Sequence, residues 1–395
     1  MAASSPFQQN STLKNTLLIA GIVLIAINLR PALASIGPLI SIIRQDTGLP
    51  NTMLGLLTTL PLLAFAVIST LAPLFTRRWG IEGVLAGALA LLTGGIFLRV
   101  IPAVWALFGG TLLLGIAIAF GNVLLPGLVK RDFPNHTGIM TSLYSSMLGI
   151  GATIAAGVSV PLADEVGWHW SLGLWGVLSF IALIIWLPQL KGLTIPRPKR
   201  SFRHSVKDLM SSSTAWQIAL YMGLQSLAFY VILAWLPDLL QDMGLEAYSA
   251  GWMLSLSQGM GVFGTLLIPI WAEKMADQRK LVWLLIVLEI ISLIGLMLPE
   301  PFLVWLWVSL IGFTLGGSFG LALLFIVLRA HDTETATELS GMAQSIGYLL
   351  AAVGPTLFGA LHDLTHSWFI PLLFLLIVAI AKLFAGLGAG RPADV

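Results

Sequence analysis

The sequence predicts an all-α membrane protein of twelve transmembrane helices, arranged as two pseudo-symmetric six-helix bundles. Composition is the first of three observations behind this. Of 395 residues, 57% are hydrophobic and only 10% charged, where a soluble domain carries about a quarter charged residues. The second is a series of twelve apolar runs, each near the ~20 residues a helix needs to cross the hydrocarbon core. The third is an internal repeat that divides those runs six and six. Cysteine is absent, which excludes disulfides and thiolate-held metals. The first 15 residues are polar and lack the basic start, short apolar core and cleavage site of a secretory signal. The first helix is therefore expected to remain as a span.

In chain order the runs are 16–43, 52–76, 81–100, 103–129, 137–163, 168–189, 214–240, 248–273, 280–298, 302–328, 337–361 and 367–388. The second stops at Arg77-Arg78, the fourth at Lys130-Arg131 and the tenth at Arg329. Pro31, Pro38, Pro61, Pro126, Pro237, Pro269 and Pro355 fall inside runs, and Gly numbers 40. In a helical bundle neighbouring groups satisfy the carbonyls that proline frees, and small residues permit close helix contact.

Basic residues set the expected orientation. With the N-terminus inside, 17 of the 20 Lys and Arg fall on the cytoplasmic side, counting Lys382, which is expected to snorkel there from the last helix. The outer side receives Arg44 and Arg99. The positive-inside rule then places both termini in the cytoplasm.

The longest connection, 191–213, is basic and proline-containing, with Lys191, Arg197, Lys199, Arg200, Arg203 and Lys207. It is expected to be a cytoplasmic linker touching anionic headgroups rather than a nucleic-acid site. It separates an N-terminal bundle, 1–190, from a C-terminal bundle, 214–395. The bundles are related by duplication. Gln45-Asp46-Thr47-Gly48-Leu49 recurs as Gln241-Asp242-Met243-Gly244-Leu245. Pro73 matches Pro269, Pro38 matches Pro237, Phe120-Gly121 matches Phe319-Gly320, and Lys130 matches Arg329, at offsets of 196 to 199. Parallel six-helix halves are a signature of transporters that rock about a midplane site.

One residue stands out. Arg30 lies near the centre of the first run, in Ala26-Ile27-Asn28-Leu29-Arg30-Pro31. A cation at that depth costs ~3 kcal/mol on insertion scales, so it is expected to face protein or a wet cavity. Its forked guanidinium suits a planar, carboxylate-like acceptor. The alternative is structural: donation to carbonyls freed by Pro31 or Pro38.

The chain resembles the major facilitator superfamily along essentially its whole length, and within it the cyanate porter group that includes 2-nitroimidazole exporters. The residues that carry the resemblance are Asn28-Leu29-Arg30-Pro31 with Ser35-Ile36-Gly37-Pro38-Leu39, and the run from Gly121-Asn122 through Pro126 to Lys130-Arg131-Asp132-Phe133-Pro134. Trp235-Leu236-Pro237, Asp277-Gln278-Arg279-Lys280 and Leu339-Ser340-Gly341-Met342-Ala343-Gln344-Ser345 add to it. One departure matters. The superfamily's Gly-x-x-x-Asp-Arg-x-Gly-Arg-Arg loop, aligned on Gly80, has Pro73 at its first glycine and Arg77 at its acid. Glu273-Lys274 occupies the equivalent place in the second half, so a charged latch is expected to rest there.

The resemblance implies a cavity lined by the first, fourth, seventh and tenth spans, with help from the second, fifth, eighth and eleventh. The polar or aromatic residues mid-span there are Asn28, Arg30, Asn122, Tyr144, Gln225, Ser226, Tyr230, Gln258, Ser318, Gln344, Ser345 and Tyr348. Arg30, Asn28, Asn122, Tyr144, Gln225, Tyr230, Gln258 and Gln344 are the candidate substrate-binding residues. Interhelical hydrogen bonding is the alternative role for the amides. Glu289, mid-span in the ninth run, is a candidate proton-coupling site or a protonated structural acid paired with a Ser, Thr or backbone group.

The expected function is secondary active transport of a small organic anion or polarised heterocycle, cyanate-like or nitroimidazole-like, by alternating access. A proton-coupled drug exporter of broader specificity is the alternative. A channel or sensor is disfavoured by the paired bundles. An enzyme is disfavoured because no nucleophile elbow or His/Glu metal spacing is present; His362, Asp363 and His366 sit in an outer loop. No phosphate loop for ATP hydrolysis occurs. The expectation is a monomer in a bacterial inner membrane, without cofactor, metal or nucleic acid, binding a small molecule and lipid, with protons as the candidate coupling ion.

Overall fold

The computed structural model describes residues 6–49, 51–192, 202–298 and 303–393. The helices are α1 (Pro6–Asn28), α2 (Pro31–Ala34), α3 (Ile36–Thr47), α4 (Asn51–Leu98), α5 (Val104–Asp132), α6 (Thr137–Val166) and α7 (Trp168–Trp186). A 3₁₀ turn at Leu187–Gly192 follows. Then come α8 (Phe202–Ser211), α9 (Ser213–Asp242), α10 (Ala247–Glu273), α11 (Arg279–Met297), α12 (Val304–Arg329), α13 (Thr333–Thr365) and α14 (Phe369–Ala389). The described residues contain no strand. Of the predicted linker, α8 is seen, whereas Arg197, Lys199 and Arg200 lie outside the described residues.

Eleven stretches among the described residues are long and apolar enough to cross a membrane. One of them, Leu56–Leu98, has 43 residues, about twice the need of a single crossing. Gly80 breaks it, with φ 67° and ψ 167°, a conformation open to glycine. Two crossings result, so the described residues hold twelve, as predicted.

The repeated Gln-Asp-x-Gly-Leu segment has a structural purpose in both halves. Gly48 and Gly244 adopt left-handed φ values of 67° and 94° just beyond α3 and α9, the usual helix-stop geometry. The preceding acids hold the start of a later helix. Trp168 Nε1 donates to Asp46 Oδ2 at 3.0 Å, and Trp368 Nε1 donates to Asp242 Oδ2 at 2.7 Å. A histidine stacks on each indole, His169 at 3.6 Å and His362 at 3.9 Å between ring centroids.

The chain forms two compact units. The first is Met1–Ala64, Leu74–Leu125 and Ile150–Arg197; the second is Phe65–Pro73, Pro126–Gly149 and Pro198–Val395. Short residues explain why two segments of the first half belong with the second unit. A side chain added at Gly341 would lie 2.5 Å from the Ser69 carbonyl, and one at Gly127 would lie 2.3 Å from Thr337 Oγ1. At Gly138 the same construction meets Pro269 O and Glu273 Cβ at 2.6 Å. Thr137 Oγ1 donates to Glu273 Oε1 at 3.0 Å, so the acid of the second-half loop meets the first residue of α6.

Backbone contact also builds the second unit's core. A Cβ at Gly264 would lie 2.1 Å from the Phe313 carbonyl, at Gly312 2.1 Å from Ser257 O, and at Gly316 2.0 Å from Gly261 O. Thr265 Oγ1 stitches this α10–α12 crossing, donating to Gly261 O at 2.8 Å and Gly316 O at 3.0 Å.

The basic residues depart from their predicted surroundings at three places. Arg44 is exposed as expected, but Arg99 is fully buried. Lys382 does not snorkel; it too has no exposed surface. Arg329 is buried at the end of α12, donating through Nε to Ala389 O at 3.0 Å and through Nη2 to Gly390 O at 3.1 Å and to Gln278 Oε1. It thereby neutralises the C-terminal end of α14, where carbonyls lack helical partners. Gln278 belongs to the Asp277-Gln278-Arg279-Lys280 segment. Beside it the hydrogen bonds and charge of Arg279 hold the Asp277 carboxyl down to about 2, so that surface pair stays ionised at physiological pH.

Replacing Gly316 with Val forces α10 and α12 apart. Overpacking costs about 1–3 kcal/mol, so the thermal midpoint in detergent is expected to fall, whereas Gly87→Ala, with nothing within 4 Å, leaves it unchanged or higher. Equal midpoints for the two variants would contradict the backbone contact.

Candidate functional site

In the first unit the candidate site is built around a break in the first span. Pro31 has no N–H, so the Ile27 carbonyl cannot make its ordinary helical bond. Leu29 N–H turns instead to Ala26 O at 3.2 Å. Arg30 caps α2 with φ −113° and ψ −34°, and its carbonyl accepts from Leu33 N at 3.1 Å and Ala34 N at 2.9 Å. The freed Ile27 oxygen lies against Gly151 of α6, where an added Cβ would sit 2.5 Å from it. Gly121 of α5 receives Leu29 in the same manner, with Leu29 Cδ2 2.6 Å from a Cβ built there. The break thus rests in a cradle of two glycines. Arg30 itself is half-buried.

Gly121 puts its neighbour Asn122, 6% exposed, at the level of the break. Asn28 is buried, and its amide nitrogen donates to Leu24 O at 2.7 Å and to Leu178 O of α7 at 3.5 Å. Its nitrogen braces α1 against α7.

The second unit holds the remaining candidates. Gln225 of α9 is buried and donates to Ser226 Oγ at 2.8 Å. Tyr230, half-buried, stands edge-on to Phe229 with ring centroids 5.4 Å apart. Gln258 of α10 is half-buried. α9 and α13 cross tightly, the Cβ position of Gly347 lying 3.6 Å from Gly223 Cα. Gln344 lies one turn before that crossing, buried, and its Oε1 accepts no hydrogen bond among the described residues. Ser345 Oγ accepts from Thr70 Oγ1 at 2.8 Å and donates to Ala66 O, and Tyr348 packs on Phe65 at 4.9 Å. Tyr144 of α6 is buried; its hydroxyl faces Thr141 but completes no well-aligned hydrogen bond among the described residues. The amides and tyrosines therefore differ in kind: Asn28 and Gln225 have donors engaged by protein, while Gln344 and Tyr144 have polar atoms in reserve.

Glu289 has a partner that sequence reasoning missed. Lys382 Nζ lies 2.5 Å from Glu289 Oε2, joining α14 to α11, with side chains 0% and 1% exposed. Tyr221 of α9 lies alongside, against Gly386 of α14 and the Phe325 ring. The expected partners for a structural acid were a hydroxyl or a backbone group. The signal was available: a lysine and a glutamate, each mid-run at membrane depth, are each other's cheapest counterion. Taking up a proton on Glu289 would leave the Lys382 charge buried without its mate.

The chain as a whole has counterparts in known proteins. The family model of the Major Facilitator Superfamily matches residues 17–355. The chain belongs to the Major Facilitator Superfamily. It is 40% identical to the 2-nitroimidazole transporter of Escherichia coli (strain K12) over 379 residues, 96% of each chain. It is 27% identical to the cyanate transport protein CynX of the same organism, over 88% of this chain and 90% of that one. Among solved structures, the superfamily's proton:xylose symporter XylE bound to 6-bromo-6-deoxy-D-glucose superposes with a TM-score of 0.74 at 15% identity, covering 96% of this chain and 95% of that one. The chain is thus a multi-pass membrane transporter of the cyanate and nitroimidazole group, and not an enzyme.

The ion pair gives a test of Glu289. Glu289→Gln and Lys382→Met each strand one buried charge and are expected to destabilise by about 3–5 kcal/mol. The double variant carries neither charge and is expected to recover most of the lost thermal midpoint in detergent and transport in proteoliposomes. A double variant that regains stability but has lost pH-gradient dependence would instead assign the carboxylate to coupling.

Proposed function

We propose that this transporter moves a small organic anion or a polarised planar heterocycle across the bacterial inner membrane by alternating access, with Arg30 as its principal substrate contact. The observation that carries the reading is the half-buried arginine on the turn that breaks the span between α1 and α2. Unwound backbone inside a span is tolerated where it is enclosed by protein or lines a cavity, and transporters use such breaks to bind ligands. The relatives named for 2-nitroimidazole and for cyanate support the ligand class. The two oxygens of a nitro group can meet the guanidinium fork with two parallel hydrogen bonds, and linear cyanate offers the same donors one charged terminal acceptor.

Asn122, Tyr144, Gln225, Tyr230, Gln258 and Gln344 are the proposed accessory contacts, with Asn28 holding the Arg30 segment. In this reading the six-helix halves, 1–190 and 214–395, are the moving parts, joined by the basic linker 191–213. The protein works as a monomer with both termini cytoplasmic, and protons are the proposed coupling ion.

Flux of 2-nitroimidazole and of cyanate into proteoliposomes, with and without an imposed pH gradient, tests this. Loss of a charge-assisted hydrogen bond costs about 1.5–3 kcal/mol, so Arg30→Gln is expected to reduce transport by roughly 10- to 100-fold. Arg30→Lys is expected to recover little, because a point charge does not reproduce the fork. Wild-type flux in Arg30→Gln would remove Arg30 from the site. Equal transport of bulky hydrophobic cations would favour the broader drug exporter.

A further inference from the structure

Arg99 presents a different problem from the other buried cations. It follows the last residue of α4, at the end of the run that the sequence brings to the outer side, yet it has no exposed surface. Its Nη1 donates to the carbonyl of Ala32 at 2.8 Å. Its Nε and Nη2 have no hydrogen-bond partner among the described residues. Lys382 has a carboxylate and Arg329 has three acceptors. Arg99 has one carbonyl.

The fold makes room for this arginine deliberately. A Cβ at Gly110 of α5 would sit 2.6 Å from Arg99 Cγ and 2.4 Å from the Gly95 carbonyl. Only a glycine there lets α5 pass close to the arginine stem. A desolvated cation with most of its donors idle weakens a fold relative to an apolar side chain of similar shape. Stability therefore does not account for Arg99.

Its single bond does. Ala32 lies in α2, a four-residue helix two residues past Arg30. That helix begins at Pro31, has no side-chain cap at Arg30, and ends where Ser35 N–H returns to Pro31 O at 3.0 Å. So short a helix has few bonds of its own and takes its orientation from outside. We propose that Arg99 is a positioning residue: by holding the Ala32 carbonyl it sets where the Arg30 guanidinium is presented, and thereby sets substrate affinity. This rests on Arg30 being the substrate contact.

The experiment measures 2-nitroimidazole flux in proteoliposomes and thermal unfolding in detergent for Arg99→Met, Arg99→Gln and Arg99→Lys, each alone and with Arg30→Lys. Arg99→Met is expected to keep or raise the thermal midpoint while raising KM about tenfold with kcat within about twofold, the signature of lost binding geometry. Arg99→Lys, which retains a donor, recovers part of the affinity. In the Arg30→Lys background, removing Arg99 adds little further loss, because the two residues act through one contact. The inference is overturned if Arg99→Met and Arg99→Gln both lower the midpoint, or if they lower kcat with KM unchanged. It is also overturned if the losses at positions 30 and 99 simply multiply. Wild-type transport by Arg30→Gln would refute the assignment of Arg30 itself, whereas an impaired Arg30→Gln beside a wild-type KM in Arg99→Met would refute only the role of Arg99.

Discussion

A backbone carbonyl that loses its helical partner inside a bilayer has no water to turn to, and the first span of this transporter contains such a carbonyl. Pro31 removes the N–H that Ile27 would have used. The rest of the first unit is arranged around that loss. Gly151 brings α6 against the Ile27 oxygen, Gly121 brings α5 against Leu29, and Asn28 fastens the helix before the break to Leu178. Arg99 reaches the segment after it. A larger residue at either glycine would push a neighbouring helix away from the one place where the chain is unwound. The break and its packing are one feature, and Arg30 stands half-buried on it.

Close packing elsewhere follows the same economy. Lipid tails offer no hydrophobic drive to bring helices together, so contact depends on how near two backbones can come. In the second unit the α10–α12 crossing is glycine against carbonyl at three successive turns. The charges buried behind it are satisfied in full: Glu289 by Lys382, Arg329 by Gln278 and the last carbonyls of α14. They stiffen the frame that carries α9 and α12.

Much of this was legible in the sequence, for local reasons. Each span is set by its own apolar run, the stops after α3 and α9 by their own glycines, and the duplication by residues that recur at offsets of 196 to 199. Arg30 was conspicuous because depth alone makes a cation costly. What was not legible depends on residues far apart in the chain. Lys382 and Glu289 are 93 positions apart and Arg99 and Ala32 are 67 apart. Arg99, at the end of the third run, was expected on the outer side, and only its burial against Gly110 shows that this end of the run is interior. The amides divided in the same way: polarity marked Asn28 and Gln344 alike, but geometry gives one nitrogen to α7 and leaves the other residue's oxygen without a donor among the described residues.

The duplication then explains why the two halves contribute differently. By the offset of 199 that relates Pro38 to Pro237, Arg30 corresponds to Phe229 and Pro31 to Tyr230. Tyrosine keeps its N–H, so α9 runs unbroken from Ser213 to Asp242, while the first span is divided at the matching point. Where the first half presents a cation on unwound backbone, the second presents two aromatic rings, Phe229 and Tyr230, on a continuous helix. An ancestral pair of equivalent helices would need only the exchange of an amide-bearing residue for proline to open one of them. Once opened, the carbonyls exposed by the break favour a neighbouring donor, and a guanidinium held there is already partly desolvated and oriented before any ligand arrives. Asymmetry at this one position therefore gives the first half a cation on broken backbone and leaves the second half an unbroken helix with two aromatic rings at the matching position.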